Sequence, residues 1–293
     1  MAAMSPTAGN EPTELHRADW LEACRRMVSA QHELFAAERG IAARTVYEGQ
    51  GEGGDRALAI DRRAEDIAFA ELDELHRGGH AFTAVSEERG EVAFGDGTSE
   101  QRVVIDPIDG SLNARRTIPF HALSVAVASG PHMGDVEFGY VYDFGTREEF
   151  VARRGEGATL GEERLVAAGP GHGLELVGLE AAKPERISPL LDELAGKAFR
   201  IRSIGSIALT LCYVAAGRLD GLVTGRGSRS VDVAAAQLIA REAGAMLEFP
   251  GFELNDCPLD LGARYHVTAA LDDEMLATLR EVQLRAEPAE RVG

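Results

Sequence analysis

Apolar residues recur along this chain with two different periods, and the change of period outlines the elements. Residues 15–39 contain neither glycine nor proline and are rich in Ala, Leu, Glu and Arg, which predicts a long helix. Residues 46–56 are glycine- and acid-rich and read as a loop. Ile60, Ala64, Ile67, Ala68, Leu72 and Leu75 then follow helical spacing up to Gly78. Asp61 and Glu65 lie four apart on a different face of that helix. Short apolar runs at 82–85, 103–105, 123–128, 136–141 and 149–152, separated by turn residues, read as strands. The densest run of breakers, Ala168-Gly169-Pro170-Gly171-His172-Gly173, marks an internal boundary between a half spanning 14–167 and a half spanning 174–285. Beyond it, strands at 174–179, 200–202, 221–224, 246–248 and 265–269 alternate with helices near 189–195, at 207–216, at 231–243 and from Asp272. The order predicts an α/β protein, α+β in its first half and α/β in its second, layered as one body. Met1 to Thr13 reads as a loose tail.

Composition narrows the function. Of 293 residues, 45% are hydrophobic, enough for a large core. The net charge of −18 repels phosphate backbones, so no nucleic acid partner is expected. An anionic substrate then needs cations at its site, and bound metals are the strongest local charges available. No apolar run approaches the ~18 residues of a membrane span, so no membrane partner is expected. The three cysteines, Cys24, Cys212 and Cys257, are dispersed and odd in number, and no secretory signal is seen; a reducing cytoplasm is expected.

The chemistry concentrates in Val103-Val104-Ile105-Asp106-Pro107-Ile108-Asp109-Gly110-Ser111-Leu112-Asn113. An apolar strand runs into two aspartates three apart, with Pro107 fixing the backbone between them. Two carboxylates and an intervening carbonyl are oxygen ligands of the kind hard divalent cations take. Gly110 allows close approach of an anion, and a helix starting near Ser111 would aim its N–H groups at a phosphate. Alone, this segment equally fits an ordinary strand-to-turn transition. Other acids accompany it: Asp61 and Glu65 upstream, Glu87 and Glu88 after a strand, and Asp232 opening a helix.

Together these segments resemble the inositol monophosphatase family of lithium-sensitive, magnesium-dependent phosphatases. Its pattern of an acidic pair, D-P-[IL]-D-G-[TS], and W-D before a helix of small residues appears as Ser86-Glu87-Glu88, as Asp106 to Ser111, and as Val231-Asp232-Val233-Ala234-Ala235-Ala236. Arg154-Gly155-Glu156-Gly157-Ala158, Arg202-Ser203-Ile204-Gly205-Ser206 and Glu242-Ala243-Gly244 are similar to three further family segments, and coverage runs from about Leu15 to Leu279. The resemblance implies an alternating αβαβα sandwich of the sugar-phosphatase type, working as a homodimer. It implies two or three Mg²⁺ ions: Glu87, Asp106 and the Ile108 carbonyl at the first, Asp106, Asp109 and Asp232 at the second, and Asp61 helping a third. Ser111 would take the place of the catalytic threonine and orient water with Glu87. Asp109, Gly110, Ser111, Gly205, Ser206 and Asp232 would line the substrate.

The chain departs from the pattern at Ser86 for glycine, Leu112 for threonine and Val231 for tryptophan; no ligand carboxylate is lost. Where animal-type members place a glutamate on the inositol ring, it has Thr224-Gly225-Arg226-Gly227-Ser228-Arg229, more similar to the archaeal inositol monophosphatase/fructose-1,6-bisphosphatase group. Arg226 or Arg229 is a candidate reader of a second phosphate, since a guanidinium presents a two-pronged donor. The expected activity is hydrolysis of a small phosphorylated polyol or sugar, such as inositol 1-phosphate or fructose 1,6-bisphosphate. A 3′-nucleotidase, a histidinol-phosphate phosphatase and a regulatory protein that binds metal or phosphate without turnover are the rivals. Cys212 and Arg218 have cysteine-phosphatase spacing, but Leu209, Cys212, Tyr213 and Ala216 continue a helical stripe, so Cys212 is expected in the core. Zinc is not expected, and His121 is expected to pack rather than ligate.

Overall fold

The computed structural model describes residues 14–286 apart from 46, 51–55, 170, 172 and 182. The expected loose tail lies outside these residues, as does part of the expected 46–56 loop. The first half supplies α1 (Glu14–Ala37), α2 (Ile41–Arg44), β1 (Tyr47–Gln50), β2 (Arg56–Leu58), α3 (Ala59–Arg77), β3 (Phe82–Ser86), β4 (Gly90–Phe94), β5 (Arg102–Asp109), α4 (Ser111–Arg115), β6 (Ala122–Ala128), β7 (Val136–Asp143), β8 (Glu148–Arg153), β9 (Gly157–Leu160) and β10 (Glu163–Leu165). The second supplies β11 (Leu176–Glu180), α5 (Pro184–Leu194), β12 (Arg200–Arg202), α6 (Ile207–Ala215), β13 (Gly221–Thr224), α7 (Ser230–Glu242), β14 (Met246–Glu248), β15 (Thr268–Ala270) and α8 (Asp273–Ala286).

Two sheets organise the layers. The larger has the order β10-β9-β8-β7-β6-β5-β3-β4 and the smaller β12-β11-β13-β15-β14. Trp20, Ala23, Cys24 and Met27 of α1, with Ile60, Ala64, Ala68 and Leu72 of α3, bury against one face of the larger sheet. Helices α6 and α7 fill the space between the two sheets. Leu190 and Leu194 of α5, with Met275, Leu276 and Leu279 of α8, cover the far face of the smaller one. The chain is thus an αβαβα sandwich.

Burial on both faces explains why β5 and β6 read as unbroken apolar runs rather than alternating ones. The helix between the sheets is buried on every side, hence its small residues: in α7, Ser230 through Ala240 are all buried. Its approach to β7 is set by Gly139, where a Cβ would lie 2.7 Å from the Ala235 carbonyl oxygen. Two of the family-like segments meet each other. The Glu242 carboxylate accepts from the Gly155 and Gly157 N–H groups (2.8 and 2.9 Å), fixing that turn against the end of α7.

Several expectations are corrected. The 46–56 loop carries β1 and β2, which pair antiparallel. Strands β4, β9 and β10 were not expected; they are short, and β4 and β10 are sheet edges, where pairing needs little apolar pattern. Helix α5 begins at Pro184 rather than near Pro189: Pro184 takes the first turn, where a missing N–H costs nothing, and Pro189 is carried inside. The last strand begins at Thr268, because Tyr265 pairs its backbone with Ser228 in an isolated bridge instead.

Replacing Gly139 with Ala should overpack this contact by about 1–3 kcal/mol. A fall in Tm of roughly 2–10 °C is expected. Calorimetry showing an unchanged Tm would remove Gly139 as the residue that sets the α7 spacing.

Candidate metal centre and active site

The site is made by an irregularity in β5. Asp106 pairs with Ser124 and Asp109 with Ala122, so three steps on β5 oppose two on β6. In a regular strand, residues three apart face opposite sides. The extra residue at Pro107–Ile108 bulges the strand and turns both carboxylates into one cleft. Pro107 sits at the bulge, where it forfeits no ladder bond, and the buried Gln31 of α1 donates to its carbonyl (3.1 Å). The Ile108 N–H donates to Asp106 Oδ1 (2.9 Å). Gly110 then turns the chain with φ of 84°, and a Cβ there would lie 2.7 Å from the Phe120 carbonyl oxygen.

Two other elements bring acids to the same point. β3 runs parallel to β5 with Ser86 opposite Ile105, which carries Glu87 to the level of Asp106. Asp232 is in the first turn of α7, where its Oδ2 accepts the Arg229 N–H (2.8 Å). Glu87, Asp106 and Asp232 each offer an oxygen, all within 4.8 Å of one another. They open onto a cleft of about 330 Å³ that Ile108, Asp109, Gly110, Ser111, Gly205, Arg226 and Arg229 also line.

The remaining expected residues divide. Ser206 is buried behind the wall, where its hydroxyl donates to Asp109 Oδ2 (2.5 Å). The Ala208 N–H donates to the same oxygen (2.8 Å). Asp61 does not line the cleft; with Glu65 it lies close to Glu88, whose carboxyl is pushed up to about 7 by burial and by Glu87, Glu65 and Asp61. Ser86, in place of glycine, hydrogen-bonds Glu65. Arg229 forms an ion pair with Glu87, whereas Arg226 is exposed at the cleft with no hydrogen bond or ion pair among the described residues. Cys212 is in the core, and His121 is buried, stacked on Phe144. His76 and His80 have a zinc-like spacing, but α3 ends between them, and His76 Nδ1 lies 2.7 Å from the His80 carbonyl oxygen.

The electrostatics are those of crowded acids. Burial, then Asp109, Glu87 and Asp232, raise Asp106 well above the usual carboxylate range. Asp109 is pushed up to about 7 by burial and Asp232, against the hydrogen bonds from Ser206 and Ala208. Asp232 is raised by burial and Glu87, against the Arg229 N–H. Buried like charges at this spacing are relieved by a cation. The donors are all oxygen, the set that hard divalent cations take, so the residues fit such an ion.

One cleft residue, Glu180, carried no signal in the sequence, and Asn113 was marked by its place in the motif but not by its partners. Glu180 ends β11 and accepts from Ile204, Gly205 and Thr210, and Asn113 Nδ2 donates to the Phe120 and Ile204 carbonyls (both 2.8 Å). Only the topology brings Glu180 to the site and Ile204 to Asn113.

The comparisons agree with this geometry. A model of the inositol monophosphatase family matches residues 18–284. A fructose-1,6-bisphosphatase/inositol-1-monophosphatase of Methanothermobacter thermautotrophicus is 33% identical over 245 residues, covering 79% of this chain and 86% of the relative. An inositol-1-monophosphatase of Mesorhizobium japonicum is 36% identical over 204 residues, covering 66% and 72%. The crystal structure of an inositol monophosphatase–fructose 1,6-bisphosphatase superposes with a TM-score of 0.75 at 30% identity, covering 90% of this chain and 99% of that one. The bulged Asp106–Asp109 strand, the acids around it and a match along nearly the whole length lead to one conclusion: this chain belongs to the inositol monophosphatase family.

Proposed function

We propose that the chain is a Mg²⁺-dependent phosphatase that hydrolyses a small phosphorylated polyol or sugar, with inositol 1-phosphate and fructose 1,6-bisphosphate as leading substrates. The observation that carries this reading is the trio Glu87, Asp106 and Asp232, with oxygens within 4.8 Å in a cleft that Asp109 and Ser111 share. A cleft of about 330 Å³ is at the lower end of ligand-pocket sizes and suits a single sugar ring. Glu87, Asp106 and the Ile108 carbonyl would hold one ion, and Asp106, Asp109 and Asp232 a second, with Asp61 near a weaker third. A divalent cation bound there supplies an acidified water and charge neutralisation on the phosphoryl oxygens. Ser111 and Glu87 would together orient the attacking water. Gly110 and Gly205 line the cleft where the phosphate would sit. Three free, buried cysteines suit a reducing cytoplasm. No helix among the described residues is long and apolar enough to cross a membrane.

The two arginines take different roles in this reading. Arg229, paired with Glu87, offsets negative charge in the acid cluster. Arg226, exposed at the cleft, is the reader of a second phosphate. The chain also pairs with a second copy. Leu112, Ile118 and Phe120 are exposed (55%, 42% and 37%) on a segment that Asn113 ties to Ile204. Ile201 is exposed nearby on β12, an edge of the smaller sheet.

Phosphate release from inositol 1-phosphate should require Mg²⁺ and vanish in chelator, and Asp109→Asn should cost several orders of magnitude in kcat with the fold retained. Equal release with and without chelator would sink the metal mechanism.

For the arginines, a lost charge-assisted contact corresponds to roughly a ten- to hundredfold effect. Arg226→Ala should lower kcat/KM by that factor for fructose 1,6-bisphosphate and leave inositol 1-phosphate nearly unchanged. Arg229→Ala should weaken both substrates alike. Equal losses in Arg226→Ala would end the second-phosphate role.

Light scattering should give the mass of two chains, and Ile118→Asp/Phe120→Asp should give one. A monomeric parent chain would overturn the pairing.

A further inference from the structure

We infer that Glu180 is a positioning residue for Asp109, acting through the backbone segment that joins them. The inference rests on the metal-dependent reading above, in which Asp109 is a ligand.

Glu180 is a buried carboxylate at the end of β11, on the smaller sheet. Its Oε1 accepts the Ile204 N–H (2.8 Å) and the Thr210 hydroxyl (2.9 Å), and its Oε2 accepts the Gly205 N–H (3.0 Å). The turn before α6 is therefore fixed from one side by Glu180. On its other side, the same segment grips Asp109 on the larger sheet. The Ser206 hydroxyl and the Ala208 N–H both donate to Asp109 Oδ2, and Ser206 also caps α6 by accepting the Leu209 N–H (3.3 Å). Residues 204–208 are thus suspended between two carboxylates, one from each sheet. Asn113 closes the frame by donating to the Ile204 carbonyl (2.8 Å).

This arrangement has a mechanical consequence. Two donors fix Oδ2, and with it the direction of the whole Asp109 carboxylate toward the cation site. Those donors are only as rigid as the 204–205 turn, and that turn has Glu180 as its acceptor. Replacing one Glu180 oxygen with an amide sets a donor against a backbone donor, and the turn must move. Partners that orient a ligand are worth a factor of 10–100 in metal affinity. Asp109 should then lose metal affinity before the site loses its ability to bind substrate.

The test is Mg²⁺ calorimetry on the metal-free protein, with kinetics across Mg²⁺ concentration. Glu180→Gln should bind Mg²⁺ roughly tenfold more weakly, and its kcat should recover to within about threefold at saturating Mg²⁺, with KM little changed. Thr210→Val keeps every charge in place but removes the hydroxyl that lies between Glu180 Oε1 (2.9 Å) and the Ser206 carbonyl (2.8 Å), both in the frame that holds residues 204–208, and should weaken binding about threefold. Asp220→Asn is the structural control: Asp220 is equally buried and accepts the Leu176 N–H (2.7 Å), but reaches no part of this chain of contacts. It should lower Tm and leave Mg²⁺ binding unchanged. Wild-type Mg²⁺ affinity in Glu180→Gln overturns the inference. So does a shift in Glu180→Gln with none in Thr210→Val, which marks a through-space charge effect. If Glu180→Gln does not fold, Thr210→Val decides alone. A parent chain that binds no Mg²⁺ instead overturns the metal-dependent reading itself.

Discussion

Mutual repulsion among buried carboxylates is the constraint around which this fold is arranged. Asp106, Asp109 and Asp232 are each at most 9% exposed, and Glu87 faces the same cleft. Left to themselves, such groups would separate or take up protons, and their raised pKa values express that tendency. Each is therefore fixed by rigid neighbours: Asp106 by its own bulge, Asp109 by the start of α6, and Asp232 by the backbone of Arg229. Repulsion held in place by backbone is what gives a cation site its affinity.

The two sheets share this task. β5 and the residue that follows β3 in the larger sheet supply three of the acids, and α7, from the second half of the chain, supplies the fourth. The same helix lies between the sheets, with Ala235 against Gly139. The packing that closes the core thereby also sets the distance between Asp232 and Asp106. Stability and site geometry are coupled through one buried helix.

The charge balance follows the same logic at longer range. A chain with a net charge of −18 does not attract an anionic substrate by its overall field. The cleft instead gathers Arg226 and Arg229 on the loop before α7, which is held by the backbone bridge between Ser228 and Tyr265. One guanidinium is used inside the acid cluster, and the other stays available at the mouth.

Local chemistry was legible in the sequence, because short-range physics writes it there. The apolar run into Asp106-Pro107-Ile108-Asp109-Gly110 announced a strand ending in paired carboxylates, and the segment after Asp232 announced a helix. The three- and four-residue spacing of Ile60 through Leu75 placed α3 correctly. Short edge strands such as β4 escaped notice, since a few half-exposed residues leave no periodic signature. The two arginines were indistinguishable three residues apart; only the bridge at Ser228 and the position of Glu87 separate their roles. Glu180 gave no signal either, and Asn113, though inside the motif, did not show its contact with Ile204, because those partners lie 24 and 91 residues away in the chain. Sequence determined which residues could bind a cation and which segments could be strands or helices, since those depend on side-chain type and on neighbours a few positions away. Tertiary structure decided which acids meet, which arginine is occupied and what holds Asp109, since those depend on how two sheets and the helices between them close on one another.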